Sequence, residues 1–483
     1  MQIVMKKHTT NGVMLQAFDW YIQNDGNHYH RLMQMIPTLQ NLGITSLWLP
    51  PCTKPDTTLD DCDSVGYGVY DLWDIGEFNQ GGSIRTKYGT KDQLVDLCKR
   101  LKNEGINIYM DMVMNHKVGT RSGETEVVLG HRVDPNNHLS EYSDPSWITA
   151  NTKFDFKERN NTYSDFTWNH HHFTGVNGQS NGDGPGESTI YRLAHTGWAH
   201  DVDSENGNFD YVLASDINHW HPEVYFEFVR WGEWLTDLLK LDGYRIDAVK
   251  HMSYHFLHQW TQTMRVNAGR TLFAVGEYFT YELNKLITYL SNTHFTQSVF
   301  DFPLQLKFIQ CAHHEYHDIR DLLDGTITSM HKFHSVSFVD NHDTIRESHL
   351  TVPDWFKDHA YAFILLREEA YPSVFWRDLH DIPKLPMLLA VRSDFAYGNQ
   401  HTNRTSSNML GWSREGISSD TGLAAIISNS HGGHMTLFVG QHHAGQVWHD
   451  LFSNHSITIN EDGNGEFYVS DKSISIYLPS QQS

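Results

Sequence analysis

The segment DGYRIDAVKH, residues 242–251, places charged side chains within an apolar run and decides how the rest of the chain is interpreted. Its middle reads as a buried β-strand, in which residues two apart point to the same side. Arg245 and Asp247 therefore share one face, whereas Tyr244 and Ile246 take the other. A charged pair at the end of a strand is either a structural ion pair or part of an active site. The segment alone leaves both interpretations open.

Seven further apolar runs resemble the strand in this segment, and helical patterns separate them. Together with YRIDAV (244–249), the runs are VMLQAF (13–18), ITSLWLP (44–50), INIYMDMVMNH (106–116), TLFAVGEYF (271–279), SVFDFPL (298–304), SVSFVDNHD (335–343) and PSVFW (372–376). Near-continuous apolar strands that alternate with amphipathic helices are typical of a parallel α/β fold. Eight such strands predict a (β/α)8 TIM barrel.

Two regions break this alternation. Residues 117–218 are polar and rich in Gly, Asn, Asp and His, and a structureless loop of that length is uncommon in a compact domain. We therefore predict an inserted irregular/β subdomain after strand 3. Near the C-terminus, short apolar runs punctuated by Gly and Asn predict an all-β sandwich. The predicted bounds are 1–116 and 219–393 for the two parts of the barrel, 117–218 for the insertion and 394–483 for the sandwich.

The charge balance limits the range of partners. The 483 residues include 36 Lys and Arg against 58 Asp and Glu, which gives a formal net charge of −22. Such a surface repels nucleic acid and anionic membranes, and it suits a neutral substrate or a bound cation. The sequence shows no signal-peptide pattern and no run of transmembrane length. We expect a cytoplasmic monomer, the alternative being a secreted protein whose leader is absent from this sequence. Whether Cys52 and Cys62 are bonded stays open.

Ionisable and amide side chains collect at the C-terminal ends of four predicted strands. In chain order they are Asp111, Asn115 and His116, then Arg245, Asp247, Lys250 and His251, then Glu277, and finally Asp340, Asn341, His342 and Asp343. In (β/α)8 barrels this end carries the active site. Structural ion pairs placed at random would not select the same end of four strands. We therefore interpret the cluster as a reaction centre.

Three carboxylates at one barrel mouth suggest glycoside hydrolysis. The reaction needs an ionised carboxylate that attacks the anomeric carbon and a carboxylic acid that protonates the leaving oxygen. Asp247 beside Arg245 should stay ionised, because a neighbouring positive charge lowers a carboxyl pKa. Glu277 lies between the apolar segments TLFAVG and YF. Apolar surroundings raise a carboxyl pKa. These environments predict Asp247 as the nucleophile and Glu277 as the acid.

The segments DMVMNH (111–116), DGYRIDAVKH (242–251), GEYF (276–279) and FVDNHD (338–343) resemble, in order, the four signature segments of the α-amylase family of glycoside hydrolases. The likeness is greatest to bacterial liquefying and intracellular α-amylases and covers nearly the whole chain. It implies a retaining, endo-acting enzyme that cleaves internal α-1,4-glucosidic bonds of starch, glycogen or maltodextrins. A maltogenic hydrolase or a transglycosylase of the same family is an alternative. A non-catalytic carbohydrate-binding relative is a further one, although such relatives usually lose catalytic carboxylates.

The resemblance implies a role for each matching residue. Asp247 would form the covalent glycosyl-enzyme, Glu277 would be the acid/base, and Asp343 would be the third carboxylate. Arg245 would orient Asp247. The other predicted substrate contacts are Tyr67, which would stack on the sugar, His116 and His342, which would hydrogen-bond it, and Lys250 and His251 on the leaving-group side. In retaining enzymes the two catalytic carboxyls lie about 5–5.5 Å apart.

The resemblance also implies a structural Ca²⁺ between barrel and insertion, bound by oxygen ligands. The matching ligands are the side chains of Asn115, Asp210 and Asp216 and the backbone carbonyl of His251. The two aspartates could instead be cap or turn residues.

Liquefying relatives carry a second, acid-lined metal cluster nearby. Asp155 is retained here, but Ala199, Asn218 and Trp220 stand where such relatives place Asp. Because fewer anionic oxygens bind calcium less tightly, we predict one main Ca²⁺ site and a weakened or lost second cluster.

Overall fold

A computed structural model describes residues 11–56, 65–119, 125–142, 144–177, 179–180, 189–313 and 318–480. Cys62, whose pairing with Cys52 the sequence leaves open, lies outside these ranges. Among the described residues, no helix is both long enough and apolar enough to cross a bilayer.

Eight parallel strands form a closed barrel. They are β1 (Met14–Gln16), β2 (Ser46–Leu49), β3 (Asn107–Met112), β4 (Gly243–Ile246), β5 (Phe273–Gly276), β6 (Ser298–Phe300), β7 (Ser335–Phe338) and β8 (Tyr371–Phe375). Every residue of β4 is buried, as expected for a strand covered on both faces. The prediction of a (β/α)8 barrel is confirmed. Six strands are shorter than the apolar runs that contain them, whereas β4 and β8 each begin one residue before their run.

Helices follow all eight barrel strands. They span His28–Asn41, Lys91–Asn103, Pro222–Leu239, Tyr254–Ala268, Leu283–Asn292, Phe302–His313, Asp354–Leu366, and, after β8, Trp376–Asp381 and Leu385–Asp394; a further short helix is Ile327–Met330. The helix Lys91–Asn103 shows why these segments are helical. Thr90 and Gln93 form a capping box at its start, and its buried face includes Leu94, Leu97 and Leu101 at helical spacing.

The insertion after β3 is built on an antiparallel sheet. Its strands are His116–Lys117, Glu126–Asp134, Asn137–Glu141, Ser146–Ala150, Phe173–Asn177, Gln179–Ser180, Ile190–Leu193 and Ser215–Ile217. The last of them pairs with the first, and Asp216 lies opposite His116. The chain therefore leaves and re-enters the barrel at neighbouring strands, which brings Asp216 beside the end of β3.

The C-terminal region contains two antiparallel sheets. One contains Gln400–Asn403, Met409–Arg414, Leu423–Ser428, Ile474–Pro479, Val447–Asp450 and Ser456–Thr458, and the other pairs Gly433–Phe438 with Asn464–Val469. Side chains of both sheets share one buried cluster, in which Ile426 and Trp448 of the first sheet join Leu437 and Phe467 of the second. This shared core is that of a sandwich, so the all-β C-terminal domain is confirmed.

The chain divides into two compact units. The barrel–insertion unit comprises Trp20–Ile36 and Leu47–Phe300, and the barrel–sandwich unit comprises Met1–Asp19, Pro37–Ser46 and Asp301–Ser483. The insertion thus groups with β2 to β6, and the sandwich groups with β1, β7 and β8. The domain bounds given by the sequence pattern stay predictions.

Candidate active site

Arg245, in β4, is the centre of the charged cluster in the barrel–insertion unit. Its side chain is 1% exposed and contacts three carboxylates. Nη1 lies 2.7 Å from Asp111 Oδ1 and 2.7 Å from Asp247 Oδ1, and Nη2 lies 2.9 Å from Glu277 Oε2. One guanidinium therefore brings together the predicted nucleophile and the predicted acid/base.

The strand register explains this convergence. Parallel β3, β4 and β5 are neighbours, with Arg245 opposite Asp111 and Ile246 opposite Gly276. Asp247 lies two residues beyond Arg245 and points to the same side. Glu277 directly follows the last residue of β5. The carboxyl ends of three adjacent strands thus supply the three acids.

Glu277 has polar contacts beside the apolar neighbours that the sequence gives it. Besides Arg245, its Oε2 faces the backbone N–H of Ala248 at 3.3 Å. Tyr278 is buried and directed elsewhere, and Phe279 is exposed. The apolar wall around Glu277 therefore stays a prediction. Both catalytic candidates share one cation, so proximity to Arg245 does not distinguish their roles.

Asp111 is a positioning residue to which sequence reasoning assigned no role. Its Oδ2 accepts hydrogen bonds from Trp48 Nε1 at 3.0 Å and from Tyr67 Oη at 2.8 Å. Burial raises the pKa of Asp111 to about 6, against the lowering influence of Arg245. Trp48 and Tyr67 also lie over the guanidinium, at 5.0 and 5.5 Å from Arg245 Cζ to the ring centroids. Asp111 therefore fixes the position of Arg245 and of the Tyr67 ring.

Two aromatic rings and a histidine surround this cluster. The rings of Trp20 and Tyr67 are nearly parallel, 6.5 Å apart with an angle of 10°. His116 Nε2 lies 2.8 Å from the backbone carbonyl of Tyr67, and burial lowers the pKa of His116 to about 4. His116 is therefore neutral at pH 7, and its other ring nitrogen faces Asn115 Nδ2 at 3.4 Å. The predicted contacts of Tyr67 and His116 with a sugar stay predictions.

Lys250 and His251 join the barrel to the insertion. Lys250 Nζ lies 2.5 Å from Glu205 Oε2 and 3.5 Å from the carbonyl of Phe279. His251 Nδ1–H donates to the carbonyl of Phe209 at 2.7 Å, and burial lowers the pKa of His251 to about 4. Both side chains thus contact the inserted segment 203–211, and their predicted contacts on the leaving-group side stay predictions.

His342 and Asp343 form a hydrogen-bonded pair in the barrel–sandwich unit. Gln16 Nε2 donates to His342 Nδ1 at 2.9 Å, so a neutral His342 carries its proton on Nε2, which lies 3.2 Å from Asp343 Oδ2. The backbone N–H of Asp343 donates to Asn341 Oδ1 at 2.9 Å, and Arg346 Nη1 lies 3.6 Å from Asp343 Oδ1. These contacts fix the orientation of Asp343, whose role as third carboxylate stays a prediction.

The predicted calcium ligands come together at the junction of β3 and the insertion. Asn115, Asp210 and Asp216 are fully buried, and Asn115 Nδ2 lies 3.5 Å from Asp216 Oδ1. Thr174 Oγ1 donates to Asp216 Oδ2, and the backbone N–H of Ala199 donates to Asp210 Oδ2 at 2.9 Å. Asn115 Oδ1 is buried and accepts no hydrogen bond from any residue that the structure describes. An oxygen ligand is therefore available beside two carboxylates.

The charge of this group is not balanced within the described part of the chain. Burial raises the pKa of Asp210 to about 7, and burial together with the neighbouring Asp210 raises that of Asp216 well above its usual range. Within the described ranges, no Lys or Arg side chain pairs with either aspartate. Two buried carboxylates and an unsatisfied amide oxygen are the hard oxygen ligands that Ca²⁺ prefers. The donor set therefore fits the metal that the family resemblance implies.

Two residues stand at positions of the second metal cluster of liquefying relatives. Asp155 pairs with Lys157 at 3.2 Å, and Trp220 is 55% exposed. The position beside the buried acids is taken by Thr174, which sequence reasoning did not single out. Its hydroxyl adds a hydrogen bond but no charge, and the weakening or loss of the second cluster stays a prediction.

His172, His221 and Glu223 bring three potential metal ligands within 4.8 Å of one another. His172 Nδ1 accepts from the backbone N–H of Asn169 at 3.0 Å, and its Nε2–H donates to Glu223 Oε2 at 3.2 Å. A neutral imidazole has one lone pair, and here the backbone uses it. The observed hydrogen bonding therefore favours a His–Glu pair over a metal site.

The chain matches the family described as "Alpha amylase, catalytic domain" over residues 26–367. The protein belongs to the α-amylase family of glycoside hydrolases. It is 43% identical over 485 residues to the glucan 1,4-alpha-maltohexaosidase of Bacillus sp. (strain 707), covering 97% of this chain and 92% of that protein. It is 42% identical to the alpha-amylase of Bacillus licheniformis, covering 97% of this chain and 93% of that protein. It is 33% identical to the cytoplasmic alpha-amylase of Escherichia coli (strain K12), covering 97% of this chain and 99% of that protein. This α-amylase-family protein is therefore an enzyme that hydrolyses glycosidic bonds.

Solved structures support the same fold. The alpha-amylase of Geobacillus thermoleovorans, crystallised with acarbose, superposes with a TM-score of 0.65 and 16% identity, covering 99% of this chain and 100% of that chain. An Anoxybacillus alpha-amylase superposes with a TM-score of 0.64 and 14% identity, covering 98% of each chain. At these identities the likeness concerns the fold alone.

Proposed function

We propose that this enzyme is an endo-acting, retaining hydrolase of internal α-1,4-glucosidic bonds in starch, glycogen or maltodextrins. The observation that carries the proposal is the single guanidinium of Arg245, which contacts both Asp247 and Glu277. A retaining glycosidase needs two carboxyl groups close to one another. One bridging cation keeps these two close together.

In the first step, a carboxylate oxygen of Asp247 bonds to the anomeric carbon as the bond from that carbon to the leaving oxygen breaks. Glu277 transfers its proton to this oxygen. In the second step, Glu277 takes a proton from water, the water oxygen bonds to the anomeric carbon, and the ester to Asp247 breaks. Two inversions give net retention, with both carboxyl groups returned to their starting states.

The remaining residues of the site have supporting roles in this scheme. Arg245 orients Asp247 and favours its ionised form, and Asp111 holds Arg245 in place. Tyr67 offers a ring for the sugar, with His116 near it. From the resemblance we also propose Asp343 as the third carboxylate, with His342 hydrogen-bonded to it, and Lys250 and His251 as contacts on the leaving-group side.

One Ca²⁺ site is part of the proposal. Asn115, Asp210 and Asp216 would hold the ion through side-chain oxygens, and the backbone carbonyl of His251 would complete the set. The ion would neutralise the buried acids and join the insertion to the loop after β4. Elemental analysis of the purified protein should find one tightly bound Ca²⁺ per chain, and more than one would contradict the predicted loss of the second cluster.

A product-specific hydrolase is the second candidate function. It is favoured by the 43% identity to a protein named for the release of maltohexaose.

We propose a cytoplasmic location, because the Escherichia coli relative is named a cytoplasmic alpha-amylase. We also propose that the protein acts as a monomer on α-glucans.

Product analysis on soluble starch and maltoheptaose tests the function. Rapid loss of iodine staining with few new reducing ends indicates internal cleavage, whereas early accumulation of one oligosaccharide indicates the product-specific alternative. Proton NMR of the first products should show the α-anomer, and β-configured products would contradict retention. Glu277→Gln should reduce kcat about 10³-fold, the range typical of a lost general acid. The control Glu466→Gln, on an exposed strand position of the sandwich, should leave kcat unchanged.

A further inference from the structure

A polar pocket lies in the barrel–insertion unit and contains none of the proposed catalytic carboxylates. Its volume is about 550 Å³, within the usual range of ligand sites of about 300–1,000 Å³. The inserted segment 200–204 forms one side, and the helices Tyr254–Ala268 and Leu283–Asn292 form the other. We call it the side pocket.

The floor of the side pocket is a connected hydrogen-bond network. The buried Tyr278 donates its hydroxyl to Asp203 Oδ2, and Tyr254 Oη lies 3.4 Å from Tyr278 Oη. Lys285 Nζ lies 3.2 Å from Asp203 Oδ1 and 3.7 Å from Glu205 Oε2. These bonds fix the floor, so the pocket is a preformed feature.

Trp220 stacks on His255 at the rim of the side pocket. Their rings are parallel, with an angle of 0° and centroids 5.1 Å apart, and Trp220 is 55% exposed. Trp220 Nε1 donates to Asp201 Oδ1 at 3.3 Å. Asp201 Oδ2 in turn accepts from Ser253 Oγ at 2.7 Å and from the backbone N–H of His255 at 2.8 Å. An exposed indole is thus held in one orientation beside the cavity.

The chemistry of the lining selects the class of ligand. Asp201 and Asp203 outweigh Lys285, so the pocket does not favour an anion such as phosphate or nucleic acid. Val202 is the one aliphatic side chain that lines it within the described residues, which does not suit a lipid. Carboxylates, imidazoles, amides and hydroxyls beside a flat aromatic face match a neutral polyhydroxylated ring, whose C–H face packs on the indole while its hydroxyls find polar partners.

We propose that the side pocket is a second carbohydrate-binding site, which takes a short segment of an α-glucan chain outside the catalytic cluster. The identity of the sugar rests on the proposed function. Glu205 contacts Lys250 as well as Lys285, so the pocket lies behind the wall that Lys250 forms with the insertion. A long glucan held at the side pocket is kept at high local concentration near the catalytic carboxylates. We expect a short oligosaccharide to occupy only one of the two places at a time.

Binding to an inactive protein tests this proposal separately from catalysis. Affinity electrophoresis in glycogen should compare Glu277→Gln with the double variant Glu277→Gln/Trp220→Ala. The loss of one aromatic stacking contact should raise the dissociation constant for glycogen about 3- to 10-fold. Trp220→Phe, which keeps a flat ring, should recover most of the binding. The control Trp355→Ala, at another partly exposed tryptophan, should bind as tightly as Glu277→Gln alone.

Hydrolysis by the active enzyme distinguishes a second site from a part of the catalytic cleft. Trp220→Ala should lower kcat/KM on glycogen by a similar factor and leave kcat/KM on maltotriose unchanged. Equal losses on both substrates, or unchanged glycogen binding in a variant with wild-type Tm, would overturn the proposal. If the protein binds glycogen through Trp220 but hydrolyses no α-1,4-glucan, the proposed function fails while the side pocket stands as a binding site.

Discussion

The cluster around Arg245 and the acid group of Asn115, Asp210 and Asp216 meet at the end of β3, which supplies Asp111 to the first and leads on to Asn115 in the second. They solve one electrostatic problem in two ways. Both bury carboxylates, at a cost of several kcal/mol per ion unless each is compensated. The first contains its own cation, which reaches three acids. The second has two acids and an unsatisfied amide oxygen, and no Lys or Arg of the described chain pairs with them. The Arg245 cluster therefore contains a cation of its own, whereas we propose that the acid group at the junction with the insertion binds an external one.

Replacing the internal cation should have the largest effect. Arg245→Met leaves three carboxylates together in a buried site, and breaking a buried ion pair from one side typically costs about 3–5 kcal/mol. Loss of alignment and of the ionised nucleophile should reduce kcat/KM on maltoheptaose by about 10³-fold or more. Denaturant unfolding and initial rates measure the two effects. The exposed pair of Arg320 with Asp318 gives the control, and Arg320→Met should change neither. An Arg245 variant with normal kcat/KM would show that the guanidinium has no role in alignment.

Lys357 is a second buried cation, and it allows the same test at a residue to which we assign no catalytic role. Lys357 Nζ lies 3.0 Å from Asp340 Oδ2 and 2.8 Å from Asp378 Oδ1, and these acids raise its pKa above the usual range despite burial. Lys357→Met should lower the free energy of unfolding by about 3 kcal/mol or more. Unchanged stability would mean that the two aspartates become protonated at little cost, and internal cations would then matter less than the Arg245 cluster suggests. Lys99→Met, at an exposed helical pair, is the control.

The external cation should have the next largest effect on stability. A ligand present at 100 times its dissociation constant stabilises the folded state by about 2.7 kcal/mol. Chelation with EDTA should therefore lower the Tm of the wild-type protein, and added Ca²⁺ should restore it. Asp216→Asn removes one buried charge and should make the Tm nearly independent of both treatments. Asp155→Asn, outside the acid group, should respond to EDTA as the wild type does. An equal response in Asp216→Asn would place the ion elsewhere.

The pattern of the sequence predicted the barrel because each buried strand is an apolar run. The pattern could not predict the residue at which a strand stops pairing with its neighbours. The run 106–116 forms a strand only as far as Met112. The residues after it place Asn115 and His116 outside the barrel, with Asn115 in the acid group. That break depends on the neighbouring strands, which a single run does not encode.

Within the site, contacts between near neighbours were predictable and contacts across strands were not. Arg245 and Asp247 share a face because they are two residues apart. The pairing of Arg245 with Asp111 depends on the register between β3 and β4, separated by 134 positions, so the role of Asp111 was missed. The contact of Glu277 with Arg245 was missed for the same reason, because the arginine comes from another strand, and Tyr278 turns to Asp203.

His359 represents a third solution, in which a buried titratable group avoids charge, and its effect should be the smallest. Its ring stacks on Phe356, Nε2–H donates to the carbonyl of Ser428 at 3.1 Å, and burial lowers the pKa of His359 to about 3. Between pH 6.5 and 3 the unfolded chain takes up a proton at this position and the folded chain does not. Stability therefore falls as the pH falls, by about 2 kcal/mol between pH 7 and pH 5 for this group. His359→Gln keeps the hydrogen-bond donor without the titration, so its loss of stability over this interval should be smaller by that amount. The exposed His349→Gln should follow the wild type, and parallel curves for His359→Gln would show that His359 becomes protonated in the folded state.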